Sequence, residues 1–207
     1  MSETSASLAR GFILSDTNFL MKFRLPSLCM SFVLRLADHS DVSALQELIP
    51  LSVRELSREV YTTDQIESAI VHIFGVDTQL IDDQTYFVVE ASGVMVGCGG
   101  WSKRKTLFGG DQTKATTVDS LLDPAIDAAR IRAFFVHPDW KRQGIGRLII
   151  TACESAAIQA GFRRFELVAT LPGEPLYVAM GYCVTNRFEI PMPDGNSLPA
   201  SRMIKEL

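Results

Sequence analysis

The sequence contains no long run of lysine or arginine, and its formal net charge is −4. Neutralising duplex phosphates takes a concentrated basic surface, so nucleic acid is not an expected partner. No stretch approaches the ~20 apolar residues that a membrane-spanning helix needs, so none is expected to cross or anchor in a bilayer. Cysteine and histidine are scarce and scattered. Cys29, Cys98, Cys153 and Cys183 make no C-x-x-C pair, and His39, His72 and His137 do not cluster with them. Zinc requires grouped ligands, so no metal is expected. Such spacing reads as free, buried thiols in a reducing cytoplasmic setting. The first residues lack a compact apolar region followed by a small-residue cleavage site, so no signal peptide is read there.

What remains is material for a core: 47% apolar residues against 21% charged, the balance of a globular domain. Residues 1–30 mix small polar residues with short apolar patches and read as a poorly ordered arm, with Met30 an alternative start. Regular patterning covers 31–207. Phe32–Leu36 reads as a strand. A helix capped by Ser40 carries Val42, Leu45, Leu48 and Ile49 on one face and is expected to end at Pro50. A short helical stretch follows around Arg54 to Val60. A better one begins near Thr63, with Ile66, Ala69, Ile70 and Ile73 on one stripe, and Gly75 closes it. Tyr86–Val89 and Val94–Cys98 flank the Ser92-Gly93 turn as a hairpin. Gly97, Gly99 and Gly100 imply a bulge or a close backbone approach. Lys103–Pro124 is a long polar excursion. A strand over Ile131–Val136, a helix stopped by Gly161, a strand over Phe165–Ala169, a short helix over Pro175–Met180, and strands over Tyr182–Ile190 and Ser201–Glu206 complete a mixed α/β domain.

Chemistry concentrates between the strand ending at Val136 and the helix after it. Helix N-termini present unpaired amides and a partial positive charge, which suits phosphates. Gly144 and Gly146 let the backbone approach an anion. Lys141, Arg142 and Arg147 add positive charge. The turn is therefore read as a pyrophosphate cradle. No Gly-x-x-x-x-Gly-Lys-Ser/Thr occurs, and Ile149 stands where a dinucleotide fingerprint has its third glycine.

Three segments then resemble the GNAT superfamily of CoA-dependent N-acetyltransferases. Lys141-Arg-Gln-Gly-Ile-Gly146 resembles the family's Gln/Arg-x-x-Gly-x-Gly/Ala signature, with Lys141 in place of the usual Gln or Arg. Pro175-Leu-Tyr-Val-Ala-Met-Gly-Tyr182 is similar to its Leu-Tyr-x-x-x-Gly-Phe block, with Tyr182 replacing Phe. Phe134-Phe-Val-His-Pro138 is similar to its fourth strand running into a V-x-P turn. The resemblance implies a mostly antiparallel central sheet with helices on both faces and strands splayed at the CoA site. It implies acetyl-CoA as co-substrate, with pantetheine along Phe134, Phe135 and Val136. The diphosphate would lie on Lys141, Arg142, Gln143, Gly144, Ile145, Gly146 and Arg147.

The same resemblance makes Tyr177 the general acid for the departing sulfur, although packing under the cofactor would also account for it. A backbone amide near Phe135 or Val136 would polarise the thioester carbonyl. For the base, Glu166, Glu90, Glu174 and a water chain stay open, with Glu166 named first because it lies on the strand beside the thioester. His137 reads as structural, and Cys153 as packing rather than a nucleophile. The acceptor would be an amine on a small molecule or peptide, bound by Arg54–Gly75 and the Lys103–Pro124 loop. Family members are often homodimers. A non-catalytic acyl-CoA-binding module and an unrelated nucleotide-binding protein are the competing readings.

Overall fold

The computed structural model describes residues 21–24, 31–114 and 119–207. Of the expected arm, only Met21–Arg24 falls within them. This segment (β1) pairs antiparallel with Ser31–Leu36 (β2), Met21 facing Leu34. The rest of the arm lies outside the described residues.

Pro50 does not end the first helix. A single helix, α1, runs Val42–Ser57 with Pro50 inside it. Proline removes one backbone donor and disfavours helix interior by about 3 kcal/mol. Here the buried stripe of Leu45, Leu48, Ile49, Ser52 and Val53 continues at helical spacing across the proline. Packing of that stripe outweighs the local penalty, each fully buried Leu or Ile contributing roughly 1.5–3 kcal/mol. The next helix, α2 (Thr63–His72), starts where expected. The Thr62 hydroxyl accepts from Gln65 N–H while the Gln65 side chain accepts from Thr62 N–H, a reciprocal cap. A five-residue helix, α3 (Thr78–Asp82), follows.

Among the described residues, eight strands form one sheet in the order β1-β2-β3-β4-β5-β6-β8-β7. Beyond β1 and β2 these are β3 (Tyr86–Ala91), β4 (Val94–Ser102), β5 (Ala129–Val136), β6 (Arg164–Thr170), β7 (Cys183–Pro191) and β8 (Ser197–Glu206). Every neighbouring pair is antiparallel except β5–β6, which is parallel. That single parallel contact spans the crossover through α4 (Ile145–Gln159), the connection a parallel pair requires.

One core lies under α4 and the short helix α5 (Glu174–Val178), and holds Leu34, Val89, Ile131, Ile149 and Phe165. The other lies under α1 and α2 and holds Leu45, Ile66, Val88 and Cys98. Helices therefore cover both faces. The glycines of β4 let α4 close onto the sheet. A Cβ on Gly97 would stand 2.6 Å from Ile145 Cγ2, and one on Gly99 2.8 Å from Ile149 Cγ2. Cys98 and Cys153 are free and buried, whereas Cys183 is exposed. Among the described residues no helix is long and apolar enough to cross a membrane.

Candidate active site

Strands β5 and β6 pair only at Ala129↔Phe165 and Arg130↔Glu166. Beyond those residues they separate, and a cavity of about 680 Å³ opens between them. The β4–β5 register slips in the same region: Cys98 faces Phe135, but Gly100 faces Arg132. Two residues of β5, Ala133 and Phe134, thus oppose Gly99 alone, which makes a bulge on β5. Ala133 adopts φ 60°, a left-handed conformation that favours glycine. After the bulge, Phe134 and Val136 join the core under α4, while Phe135 joins the one under α1 and α2.

This parity decides where the strand's amides go. His137 N–H donates to Val96 O on β4, so Val136 N–H points away from β4 and toward the gap. There it donates to Ser52 Oγ of α1 at 3.1 Å. Ser52 is buried and lines the cavity.

At the other end of the cavity, Arg142 and Gly144 both have positive φ, 64° and 85°. Gly144 caps α4 with no side-chain hydrogen bond. The first amide of the helix to find a carbonyl is Leu148 N–H, on Gly144 O. The amides of Ile145, Gly146 and Arg147 thus remain directed at the cavity mouth without partners among the described residues, the arrangement that holds phosphate. Lys141, Arg142 and Arg147 are exposed and line the same mouth. Gln143 is exposed but is not on the cavity wall. The glycines serve separate purposes. Gly144 has open space where a Cβ would be and is needed for its φ, whereas a Cβ on Gly146 would meet Leu176 Cδ2 at 2.7 Å. An extended nucleotide with a diphosphate fits these features: unpaired amides, three cations and a cleft leading inward from them.

Tyr177 of α5 is buried on the cavity wall, edge-on to Phe134 with ring centroids 6.1 Å apart. Burial pushes its phenol well above the ordinary tyrosine range, and the Cys153 thiol adds to the shift, so it stays protonated at neutral pH. Its hydroxyl makes no hydrogen bond to the described residues. Burial likewise raises the Cys153 thiol, which leaves it a poor nucleophile.

The carboxylates are not brought to the cavity. Glu166 sits at the closed base of the split, paired with Arg130 and Arg202. It does not line the cavity, because the two strands are still joined where it stands. Glu90 pairs with Arg35, and Glu174 with Arg187 at 2.7 Å. His137 accepts from Asp139 N–H through Nδ1 at 3.3 Å and stays in its own turn.

Sequence reasoning missed two residues that shape the site. Ser52 is one of two buried polar positions of α1, with Ser57, and that interruption of the apolar stripe was the available signal. Arg132, 3% exposed at its side chain, pairs with buried Asp77 at 2.6 Å and donates to Thr106 O at 2.9 Å and to Gly109 O. It thereby holds Thr106 and Gly109 beside the cavity.

Several solved structures share this fold. The GCN5-related N-acetyltransferase of Rhodopseudomonas palustris superposes with a TM-score of 0.60 at 18% identity, covering 95% of this chain and 100% of its own. The paia N-acetyltransferase of Thermoplasma acidophilum, in complex with coenzyme A, gives 0.58 at 13% identity over 85% of this chain and 99% of its own. The putative acetyltransferase yncA of Salmonella typhimurium, with acetyl-CoA, gives 0.55 at 15% identity over 85% and 94%. No curated protein sequence matches the chain. The model of the acetyltransferase (GNAT) family matches residues 50–182, a span that holds α2, the bulged β5, the glycine turn and Tyr177. The chain belongs to the acetyltransferase (GNAT) family.

Proposed function

We propose that the protein is an acetyl-CoA-dependent N-acetyltransferase that acts by direct attack of a primary amine in a ternary complex. The observation that carries this reading is the set of unpaired amides at Ile145, Gly146 and Arg147, opening onto the cavity between β5 and β6. The first turn of α4, with Arg142, Arg147 and Lys141, holds the diphosphate. The unpaired edge of β5, Phe134 to Val136, receives the pantetheine arm as a further strand would be received. When bound, acetyl-CoA supplies an activated acyl group as a thioester.

The Val136 amide, aimed into the gap, stabilises negative charge developing on the carbonyl oxygen. Tyr177, kept neutral by burial, gives a proton to the departing sulfur, a contribution of about 10²–10⁴-fold in rate. Most of the acceleration comes from holding amine and acyl carbon together. A purely acyl-CoA-binding module would not need a buried tyrosine with a free hydroxyl on the cavity wall. Calorimetric titration of acetyl-CoA, ATP and NAD tests the assignment. Acetyl-CoA is expected to bind and the other two not; binding of ATP or NAD alone would remove the proposal.

A further inference from the structure

The far wall of the cavity carries information about the amine. It is built by Val53, Leu56, Phe74, Phe108, Phe135 and Ile190. Phe74 and Phe135 meet edge to face with centroids 5.9 Å apart. The ionisable groups that line the cavity are Arg132, Lys141, Arg142, Arg147 and Tyr177; no Asp, Glu or His does so among the described residues. Residues 115–118 are Ala-Thr-Thr-Val and contain no carboxylate. Neighbouring acids are engaged elsewhere: Asp77 with Arg132 and Lys114, Glu174 with Arg187 and Ser201, Glu166 with Arg130 and Arg202.

From this wall we infer that the acceptor is a monoamine carried on an apolar or aromatic group, and that it enters as the uncharged free base. The inference rests on the acetyl-transfer reading above. An ammonium group entering this space would shed water and find no anion, while the lining charges are all cationic. A polyamine or aminoglycoside would suffer this at every amine. An aliphatic chain or aryl ring instead gains contact with Phe74, Phe108 and Phe135. The proton balance closes without a carboxylate. The amine lone pair forms the C–N bond as the C–S bond breaks, and the proton lost by nitrogen reaches sulfur through the Tyr177 hydroxyl. Amine and thioester become amide and thiol.

The test is an amine panel of 2-phenylethylamine, hexylamine, spermidine and kanamycin with acetyl-CoA, followed by the released CoA thiol. We expect kcat/KM for the two apolar monoamines about tenfold or more above the polycations, given the unmatched charge of the latter. With 2-phenylethylamine and the less basic benzylamine, the pH at half-maximal kcat/KM is expected to move with each amine's own pKa. Calorimetry on CoA-saturated protein is expected to show 2-phenylethylamine binding that Phe108→Asp weakens. A preference for spermidine or kanamycin, no turnover of either apolar monoamine, or one half-rise pH shared by both aryl amines would overturn the inference. Acetyl-CoA titration of the same preparation separates the two levels: bound acetyl-CoA with the wrong amine order defeats only this inference, whereas absent binding defeats the acetyl-transfer reading itself.

Discussion

Val136 N–H and Ser52 Oγ lie 3.1 Å apart, joined by a hydrogen bond that crosses from β5 to α1. The amide that would meet an acyl oxygen therefore already has an acceptor in the free protein. Ser52→Ala leaves a buried donor unpaired, which costs about 1–3 kcal/mol. For a chain of this size that is a fall in Tm of roughly 2–12 °C. Because a bound thioester carbonyl supplies the missing acceptor, the deficit is expected to shrink when thermal unfolding is repeated with saturating acetyl-CoA. An equal deficit in both states would mean that no ligand oxygen reaches this amide.

Tyr177→Phe removes a hydroxyl that bonds to none of the described residues, so Tm and acetyl-CoA affinity should hold. The kcat should fall about 10²-fold or more if the phenol protonates sulfur. Steady-state kinetics beside calorimetry decides; turnover within a factor of about two of the parent would reduce Tyr177 to a packing residue.

The two glycines of the turn should respond differently. Gly144→Ala meets no atom but forces φ 85° on an L-residue, a strain of about 1–2 kcal/mol visible mainly in Tm. Gly146→Asp places a side chain against Leu176 and a negative charge beside the diphosphate. Acetyl-CoA affinity should drop by about tenfold or more, the scale of a like charge at close range. Isothermal titration of both variants checks the contrast.

Glu166→Gln separates structure from chemistry. It strips the charge that faces Arg130, whose side chain is 15% exposed, and breaking a buried pair from one side costs about 3 kcal/mol. Stability should fall, while kcat at saturating substrates and its pH profile stay put. A fall in kcat with loss of the acidic limb of that profile would return Glu166 to the role of base.

Much of the site was readable from residue order because its chemistry is local. The helix N-terminus at Gly144–Arg147 needs only two glycines, flanking cations and an apolar stripe starting at Ile145, and all lie within a few positions. The hairpin at Ser92-Gly93 and the start of α2 near Thr63 are short-range in the same way. What stayed hidden depends on partners far along the chain. Ala133 is an ordinary residue whose positive φ is imposed by register with β4. The helix across Pro50 survives because residues of the sheet bury its stripe. Glu166 is close to the thioester in a count along β6, but the strands have not yet parted where it stands, and that depends on the pairing Arg130↔Glu166.

The doubled residue in β5 has a consequence for how this chain can vary. Arg132 and Ala133 both belong to the side under α1 and α2, so inside and outside are counted anew from Phe134 onward. Removing Ala133 would leave Ile131, Arg132, Phe134, Phe135 and Val136 alternating as an ordinary strand, each on the wall it already has. What the doubled residue supplies is therefore the local bend and added twist of β5, not the sidedness of its last three residues.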